Sequence, residues 1–318
     1  MIIIPSLGLG YQPAPKIATT SMFDWLFACL GPEAVADLPT EGGKANAVRN
    51  YFIEGCGDIR RAANTPEGVA PYADYFRFTI TRDPIRRFLS MYANRVVHHG
   101  ELGPASDAAK ALRAAGLPFN PGINLLVERM EEYFEVARSI RHHALPMVHF
   151  LGQDFSVYGR VLDIAQVPAL LEEIRRYWAV NGRKPLASGL PPMPRRQTGG
   201  PKLAAQVLKE AAFEKLMAYY AEDYRFVPTL DAGRTREDYE SARAAARASA
   251  PKPAPLPPAR WALLAEVDKG ALETGAAQGH IGGVVVLAAR APEGSTLRLW
   301  VDETELPLSW GLPSPHAA

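Results

Sequence analysis

The chain has 318 residues, 47% of them hydrophobic and 22% charged, which is typical of a globular protein with one large core and space for a small appendage. The formal net charge of +1 excludes a general electrostatic attraction to nucleic acid or to membranes, so any anion site must be local. No apolar run reaches the roughly eighteen residues of a membrane span, and the two cysteines lack paired or metal-like spacing, so we expect a cytoplasmic protein.

The stretch from Tyr11 to Ser21 is rich in proline and hydroxyl groups and leads directly into a predicted helix. Thr19, Thr20 and Ser21 are candidates for the N-cap, and apolar residues then recur at helical spacing at Phe23, Leu26, Phe27 and Leu30. The free N–H groups and positive dipole at such a helix start can bind an anion, and Lys16 adds a cation there. The alternative is an ordinary capped helix with one solvated lysine.

A second strand–turn–helix pattern follows at residues 75–92. Tyr75–Thr81 alternates and is aromatic and β-branched, which predicts a strand. Asp83 is a suitable N-cap and Pro84 a suitable first residue for a helix whose apolar stripe leaves Arg86 and Arg87 to one side. In an α/β fold, ligands gather at the carboxyl ends of strands, where we expect Arg82 and the Ser90 hydroxyl. The alternative for Arg82 is a salt bridge with Asp83.

The rest of the main body alternates between helical and extended patterns. The sequence predicts helices at Ala105–Ala115, Ile123–Ile140, Val167–Trp178 and Leu203–Tyr224, a strand at Phe155–Arg160, and a loop at Gly182–Pro201 that carries Arg195 and Arg196. This order of elements indicates an α/β domain over residues 1–230.

The composition changes after residue 230. Thr235–Ala250 is a charged, alanine-rich helix or linker, and a polyproline spacer follows at residues 251–258. Short strands are predicted at Trp261–Val267, Gly282–Ala289, Leu297–Val301 and Glu305–Trp310. We therefore expect a linker over 231–258 and a small β-rich domain over 259–318, which packs on the main body or joins two chains in a homo-oligomer.

Five motifs, taken in order, resemble those of the sulfotransferases that use 3′-phosphoadenosine-5′-phosphosulfate, in particular the carbohydrate enzymes related to the HNK-1 and chondroitin sulfotransferases. They are Pro15-Lys16 with Thr19-Thr20-Ser21; Arg82-Asp83-Pro84 with Ser90; His143-Ala-Leu-Pro146; Phe155-Ser-Val-Tyr-Gly-Arg160; and Tyr219-Tyr-Ala-Glu-Asp-Tyr-Arg-Phe226. The resemblance covers about residues 10–228. It implies a core like that of the P-loop NTPases, with a central parallel sheet flanked by helices.

The resemblance also implies roles for individual residues. The 5′-phosphosulfate would be cradled by Pro15, Lys16, Ile17, Ala18, Thr19, Thr20 and Ser21, with Lys16 stabilising the bridging and leaving oxygens. Arg82 and Ser90 would hold the 3′-phosphate through a charge-assisted contact and a hydroxyl donor. The acceptor would be a hydroxyl of a saccharide or glycolipid, without a metal ion or nucleic acid. The family's eukaryotic members are typically anchored in the Golgi, whereas this sequence shows no anchor, so the resemblance implies a bacterial, cytoplasmic member.

A base must accept the proton of the acceptor hydroxyl, and histidine suits this role near neutral pH. His143 is the candidate because it belongs to a family motif, and His142, His98 and His99 are its rivals; a surface or capping role is the alternative for each of them. Arg195 and Arg196 either close over the phosphates or form a solvated pair.

Two departures from the family pattern concern acceptor binding. Leu162 stands where a glutamate often follows the Gly-Arg pair, and Gln197-Thr198-Gly199 replaces an Asn-x-Ser element. Two other functions therefore stay open. A nucleotide kinase or other P-loop NTPase would share the core, although the chain has no Gly-x-x-x-x-Gly-Lys-Ser/Thr motif and no clear metal-binding aspartate after an apolar strand. The other is a non-catalytic nucleotide- or glycan-binding protein.

Overall fold

The computed structural model describes residues 1–31, 44–183, 191–194, 200–249, 299–301 and 304–306. The chain divides into two compact units, Met1–Ala250 and Pro251–Ala318. Of the helices in the described ranges, none has the length and apolarity needed to cross a bilayer.

A five-stranded mixed sheet forms the centre of the first unit. Its strands are β1 (Ile2–Ile4), β2 (Leu9–Gln12), β3 (Arg60–Arg61), β4 (Phe76–Thr81) and β5 (Arg160–Asp163), in the order β3-β1-β2-β4-β5. Strands β2, β4 and β5 are parallel, whereas β1 is antiparallel to both of its neighbours. The α/β prediction is confirmed, but the sheet is mixed because Pro5–Leu7 and left-handed Gly8 (φ 61°) fold β2 directly back on β1.

Helices flank this sheet and extend beyond it. They are α1 (Thr19–Leu30), α2 (Lys44–Glu54), α3 (Pro66–Val69), α4 (Pro84–Met91), α5 (Ala109–Ala114), α6 (Ile123–Glu128), α7 (Met130–Val136), α8 (Arg138–Ala144), α9 (Val148–Leu151), α10 (Val167–Val180), α11 (Glu210–Tyr219), α12 (Ala221–Phe226) and α13 (Ala232–Ser249). A π-helix at Tyr92–His98 continues α4. Two hydrophobic clusters result: one joins the sheet to α1 and α10, and the other lies among α4, α6–α8 and α11.

The apolar stripe of α1 packs on the sheet, as its spacing predicts. Phe23 meets Tyr11 of β2 edge-on at 6.0 Å between ring centroids, and Trp25 stacks on Trp178 of α10 at 6.2 Å. The indole N–H of Trp178 donates to the carbonyl of Leu7 at 2.6 Å, so this large buried side chain leaves no polar group unpaired. Burial of these rings fixes α1, and therefore the loop before it, against the end of β2.

Several predicted elements are shorter than the sequence patterns indicate. The predicted helix at Ile123–Ile140 is three helices, and that at Leu203–Tyr224 is a 3₁₀ turn followed by α11 and α12. The predicted strand at Phe155–Arg160 is wrong: Asp154 caps a 3₁₀ turn at Phe155–Val157, and β5 begins only at Arg160. Side-chain caps and breaks between turns set these boundaries, and apolar periodicity does not record them.

Helix α13 packs within the first unit, where the sequence predicts a charged helix or linker. Tyr239 stacks on Phe213 of α11 at 3.7 Å, and Arg86 of α4 pairs with Asp238 at 3.1 Å. In the second unit, β6 (Leu299–Val301) and β7 (Thr304–Leu306) form an antiparallel hairpin at two of the predicted strands. The predicted strands at 261–267 and 282–289 lie outside the described residues, so the domain boundaries stay a prediction.

Candidate active site

The two motif-bearing loops meet because β2 and β4 are parallel neighbours whose carboxyl ends lie at one edge of the sheet. Gln12 pairs with Thr79, whose hydroxyl donates to the Gln12 carbonyl at 2.9 Å. The chain then leaves β2 into residues 13–18 and leaves β4 at Arg82. As a result, Nη1 of Arg82 lies 3.4 Å from the carbonyl oxygen of Lys16.

Residues 13–18 form a tight loop that feeds α1. Lys16 (φ 65°) and Ala18 (φ 50°) both have the left-handed backbone that non-glycine residues rarely adopt, and such conformations are concentrated at functional sites. The hydroxyl of Thr19 closes the loop by donating to the carbonyl of Ala14 at 2.6 Å. Side-chain burial anchors the loop at Ile17, which is 1% exposed, and leaves Pro15 half-buried.

The predicted N-caps are wrong by one position. Ala18 occupies the N-cap and makes no side-chain hydrogen bond, while Thr19, Thr20 and Ser21 form the first turn of α1. The left-handed Ala18 turns the chain sharply into the helix. The hydroxyls of Thr19, Thr20 and Ser21 therefore lie within the first turn of α1 and not before it. Within this turn, Thr20 is exposed and Ser21 is buried.

Lys16 extends from this loop into a partly buried cluster of cationic side chains. Its Nζ donates to Oδ1 of Asn94 at 2.6 Å. Burial, followed by the charges of Arg95 and Arg82, lowers the pKa of Lys16 from 10.5 to about 8, while Glu101 opposes the shift. Three cations therefore share the site with one carboxylate, an arrangement that favours an anionic ligand.

The π-helix at Tyr92–His98 supplies two side chains that the sequence analysis does not identify. Asn94 is buried and accepts from Lys16, and the next residue, Arg95, contacts His143. π-Helical turns often occur at functional sites. The motif positions Arg82 and Ser90 predict only a continuing α-helix, so no sequence signal indicates the wider turn that carries Asn94 and Arg95.

His143 is the candidate base that the structure places beside the cluster of cationic side chains. Its Nδ1 lies 2.8 Å from the carbonyl of Ser139, and its Nε2 lies 2.9 Å from Nη2 of Arg95. Because a carbonyl only accepts and a guanidinium only donates, Nδ1 carries the proton and Nε2 is a lone-pair acceptor. Burial, together with Arg95, His142 and Lys16, lowers the pKa of His143 to about 4 against the opposing Ser139 carbonyl.

The rival histidines lie at more open positions. His142, His98 and His99 are exposed, whereas His143 is half-buried. Burial lowers the pKa of His142, with Arg49 and His149 contributing, and the ring of His142 meets Phe150 edge-on at 5.3 Å. His149 packs on the same ring at 5.2 Å, so the exposed rings of His142 and His149 and the half-buried ring of Phe150 form an aromatic surface next to His143.

A buried polar network fixes the backbone that carries His143. Arg87, which is 0% exposed, donates to the carbonyls of His143 (3.2 Å) and Leu145. Arg87, which the sequence places to one side of the apolar stripe, is thus buried by contacts with a distant segment of the chain. Tyr220 donates to the carbonyl of Ala144 at 2.7 Å, and burial strongly raises its pKa. The two backbone carbonyls of His143 and Leu145 offset much of the cost of burying the guanidinium, although its Nε has no hydrogen-bond partner among the described residues.

Asp223, from the Tyr219–Phe226 motif, is the third side chain of this network. Both of its carboxylate oxygens accept backbone N–H groups at 2.9 Å, from Met147 and Val148 at the start of α9. Burial raises the pKa of Asp223, and these hydrogen bonds and the charge of Arg87 oppose the shift. The Tyr-x-x-Asp element thus holds the His143–Pro146 segment in position.

Asp83 organises the other loop and leaves Arg82 available. Its carboxylate accepts from the backbone of Arg86 at 2.8 Å, which confirms the predicted N-cap, and from the hydroxyls of Tyr224 (3.1 Å) and Thr235 (2.7 Å). The alternative salt bridge between Arg82 and Asp83 does not occur among the described residues. Burial lowers the pKa of Arg82, which is half-buried beside Lys16.

The remaining predicted positions are less directly connected. Ser90 is half-buried on α4, one turn beyond Arg86. Leu162, the departure from the family pattern, is buried in β5 opposite Ile80, so core packing occupies the position of the usual glutamate. Arg195, Arg196 and Gln197–Gly199 lie outside the described residues. Within the described part of the chain, no cluster of three or more His, Cys, Asp or Glu side chains could hold a metal ion.

Comparison with known proteins gives one family. The family model described as "Sulfotransferase family" matches residues 15–226, about two thirds of the chain. No curated protein and no solved structure matches the chain significantly. The matched region begins at Pro15 of the first loop and ends at Phe226, so it contains Lys16, Arg82, Arg95 and His143.

Proposed function

The chain belongs to the sulfotransferase family, and from this premise we propose that it transfers a sulfuryl group from 3′-phosphoadenosine-5′-phosphosulfate to a hydroxyl of a carbohydrate or glycolipid. The observation that carries the proposal is the meeting of Lys16, Arg82 and Arg95 at the carboxyl ends of β2 and β4. Such a cluster of partly buried cations suits a ligand that bears two separated anionic groups.

The loop and the first turn of α1 bind the 5′-phosphosulfate in this proposal. Residues 15–21 offer backbone N–H groups at a helix start, the exposed hydroxyl of Thr20 and the ammonium of Lys16, while the Thr19 hydroxyl closes the loop. Lys16 stabilises the negative charge that develops on the oxygen between sulfur and the 5′-phosphate as that bond breaks. The hydrogen bond from Nζ to Asn94 holds the ammonium group in place.

The 3′-phosphate is bound at the start of α4. Arg82 follows β4 directly, and Asp83 holds the backbone there through three hydrogen bonds without neutralising Arg82 in an ion pair. Ser90 adds its hydroxyl from the second turn of α4. The lowered pKa of Arg82 reflects the cost of keeping this charge partly buried, a cost that a bound phosphate offsets.

His143 is the proposed base. Its Nε2 lone pair accepts the proton of the acceptor hydroxyl while the acceptor oxygen forms its bond to sulfur and the bond to the bridging oxygen breaks. Arg87, Tyr220 and Asp223 fix its backbone. The acceptor approaches over the surface of His142, His149 and Phe150, where an aromatic ring can pack on a sugar face.

Calorimetry with adenosine 3′,5′-bisphosphate, the product of the donor, tests the proposal. We expect binding without metal and weaker binding of ATP with magnesium, because the site offers cations and no carboxylate cluster among the described residues. A magnesium-dependent preference for ATP would favour a kinase or NTPase. Binding of the donor without release of the bisphosphate in the presence of mixed saccharide acceptors would favour a non-catalytic binding protein.

Three further features remain proposals. A cytoplasmic location and a bacterial saccharide or glycolipid precursor as acceptor follow from the family resemblance. Residues 259–318, for which the structure describes one hairpin, are proposed to form a β-rich unit that joins two chains. Chromatography coupled to light scattering of the full chain and of residues 1–250 measures the last of these directly.

A further inference from the structure

Arg95 bridges the candidate base and a carboxylate. Its Nη1 pairs with Oε1 of Glu101 at 2.7 Å, while its Nη2 donates to Nε2 of His143 at 2.9 Å. The side chains of Arg95 and Glu101 are 30% and 24% exposed, so this bridge is shielded from solvent. Nε of Arg95 and Oε2 of Glu101 are buried without hydrogen-bond partners, which shows that the bridge leaves hydrogen-bonding capacity unused.

In this arrangement, Arg95 occupies Nε2 of His143, the nitrogen that must accept the proton of the acceptor hydroxyl. The proton on Nδ1 of His143 is fixed by the Ser139 carbonyl, so Nε2 has the lone pair that can accept a proton. Arg95 donates to that same lone pair. The imidazole is therefore in the correct tautomer for a base, but the acceptor hydroxyl cannot use it while Arg95 stays in place.

We propose that Arg95 is a positioning residue that blocks His143 until an anionic group of the sulfuryl donor draws its guanidinium away from Nε2. The inference rests on the proposed function, because it requires an anionic donor beside Lys16. The hydrogen bond from a guanidinium to an anion is stronger than that to a neutral imidazole, so the donor provides the free-energy difference between the two positions. Glu101 keeps its pairing through Nη1 and acts as the pivot.

The charges around His143 support this coupling. Lys16 faces it from the first loop, Arg95 from the π-helix and His142 from α8, while Arg87 donates to its carbonyl from α4. Burial and these cations hold its pKa near 4, and only the Ser139 carbonyl opposes them. A bound anion offsets Lys16 and Arg95, so the pKa of His143 rises toward its ordinary value of about 6.5. Donor binding thus both frees the lone pair and makes it more basic.

The test is an NMR titration of the His143 imidazole, with and without the donor and in the absence of acceptor. In the wild type, we expect saturating donor to raise the His143 pKa by at least about one unit. Arg95→Met should raise the pKa without any ligand, and donor should then add less. Arg129→Met is the matched control, because Arg129 is also 30% exposed and paired with a glutamate, Glu132, without contacting His143.

Two further measurements distinguish failure of this inference from failure of the proposed function. If thermal unfolding shows that Arg95→Met does not fold, Arg95→Lys takes its place. This variant retains the charge but cannot contact Glu101 and His143 at the same time, and it should still raise the His143 pKa. If calorimetry shows that the donor binds while the pKa of His143 does not change, the blocking role is overturned and the proposed function survives. Failure of the donor and of its bisphosphate product to bind would overturn both.

Discussion

The depressed pKa of Lys16 makes ligand affinity sensitive to alkaline pH. Lys16 titrates at about 8 because burial and the charges of Arg95 and Arg82 disfavour its protonated form. A phosphate bound at the loop favours that form, so the pKa of Lys16 is higher in the complex than in the free protein. Affinity for the bisphosphate is therefore highest well below pH 8, where Lys16 is protonated, and falls as the pH rises above 8.

The size of the effect follows from this pKa. At pH 9, one unit above the pKa of about 8, binding requires protonation of a lysine that is mostly neutral. Linkage then gives an affinity loss of about tenfold, or about 1.4 kcal/mol, relative to pH 7. Binding should take up about 0.9 proton at pH 9 and about 0.1 proton at pH 7. The ligand contributes little, because the second ionisation of a phosphate lies near pH 6.

Calorimetry in two buffers of different ionisation enthalpy measures both quantities. Lys16→Met should bind more weakly at every pH and show no proton uptake near pH 9. Lys16→Arg keeps a charge that does not titrate in this range and should bind with an affinity independent of pH. Wild-type affinity that stays constant from pH 7 to 9.5, without proton uptake, would refute the placement of Lys16 at the phosphate.

Four other predictions follow from the site and its support. Arg82→Ala should weaken binding of 3′-phosphorylated adenosine nucleotides by about 1.5–3 kcal/mol, roughly 10- to 150-fold, and spare adenosine 5′-phosphosulfate. The control Arg86→Ala, which breaks an exposed ion pair, should change neither affinity in calorimetry. His143→Ala should lower the transfer rate by about 10²–10⁴ with nearly unchanged bisphosphate affinity, and equal losses in the rival histidine variants would contradict this. A chain of residues 1–250 should still bind the bisphosphate, since all the site residues lie within it; a folded but non-binding fragment would show that the second unit is needed. Asp223→Asn leaves one of two buried N–H groups unpaired and should lower the free energy of unfolding, measured by urea titration, by about 3–5 kcal/mol. A change below about 1 kcal/mol would mean that the stability of the fold does not depend on this network.

The strand and helix that flank Arg82 could be predicted from sequence because local signals agree there. Alternating aromatic and β-branched residues, an N-cap at Asp83 and Pro84 at the first helical position all indicate the same boundary, and β4 and α4 follow it closely. Strand β2 was missed because Leu9–Gln12 is short and contains Gly10, and its pairing with β4 depends on residues far away in the chain. Local patterns do not report such pairing.

The site was predicted in part for the same reason. Lys16, Arg82 and His143 were found through motifs, and the structure brings them near one another. The sequence does not identify Arg95 or the burial of Arg87, because an arginine in a helix is usually solvated and its burial depends on acceptors from distant segments. For Arg87 those acceptors are backbone carbonyls near residue 144, which no helical pattern in α4 indicates.

The π-helix at Tyr92–His98 has a consequence for how this protein tolerates changes in length. A π-turn contains one more residue than the α-turn it replaces, so deleting a single residue there would let the segment relax into an uninterrupted α-helix. Because a π-turn absorbs its extra residue locally, the chain beyond the deletion would keep its register, whereas side chains within the turn, such as Asn94 and Arg95, would move around the helix axis by up to about 100°. A one-residue deletion in this turn is therefore expected to disturb the contacts of Lys16 and His143 more than the packing of the surrounding fold.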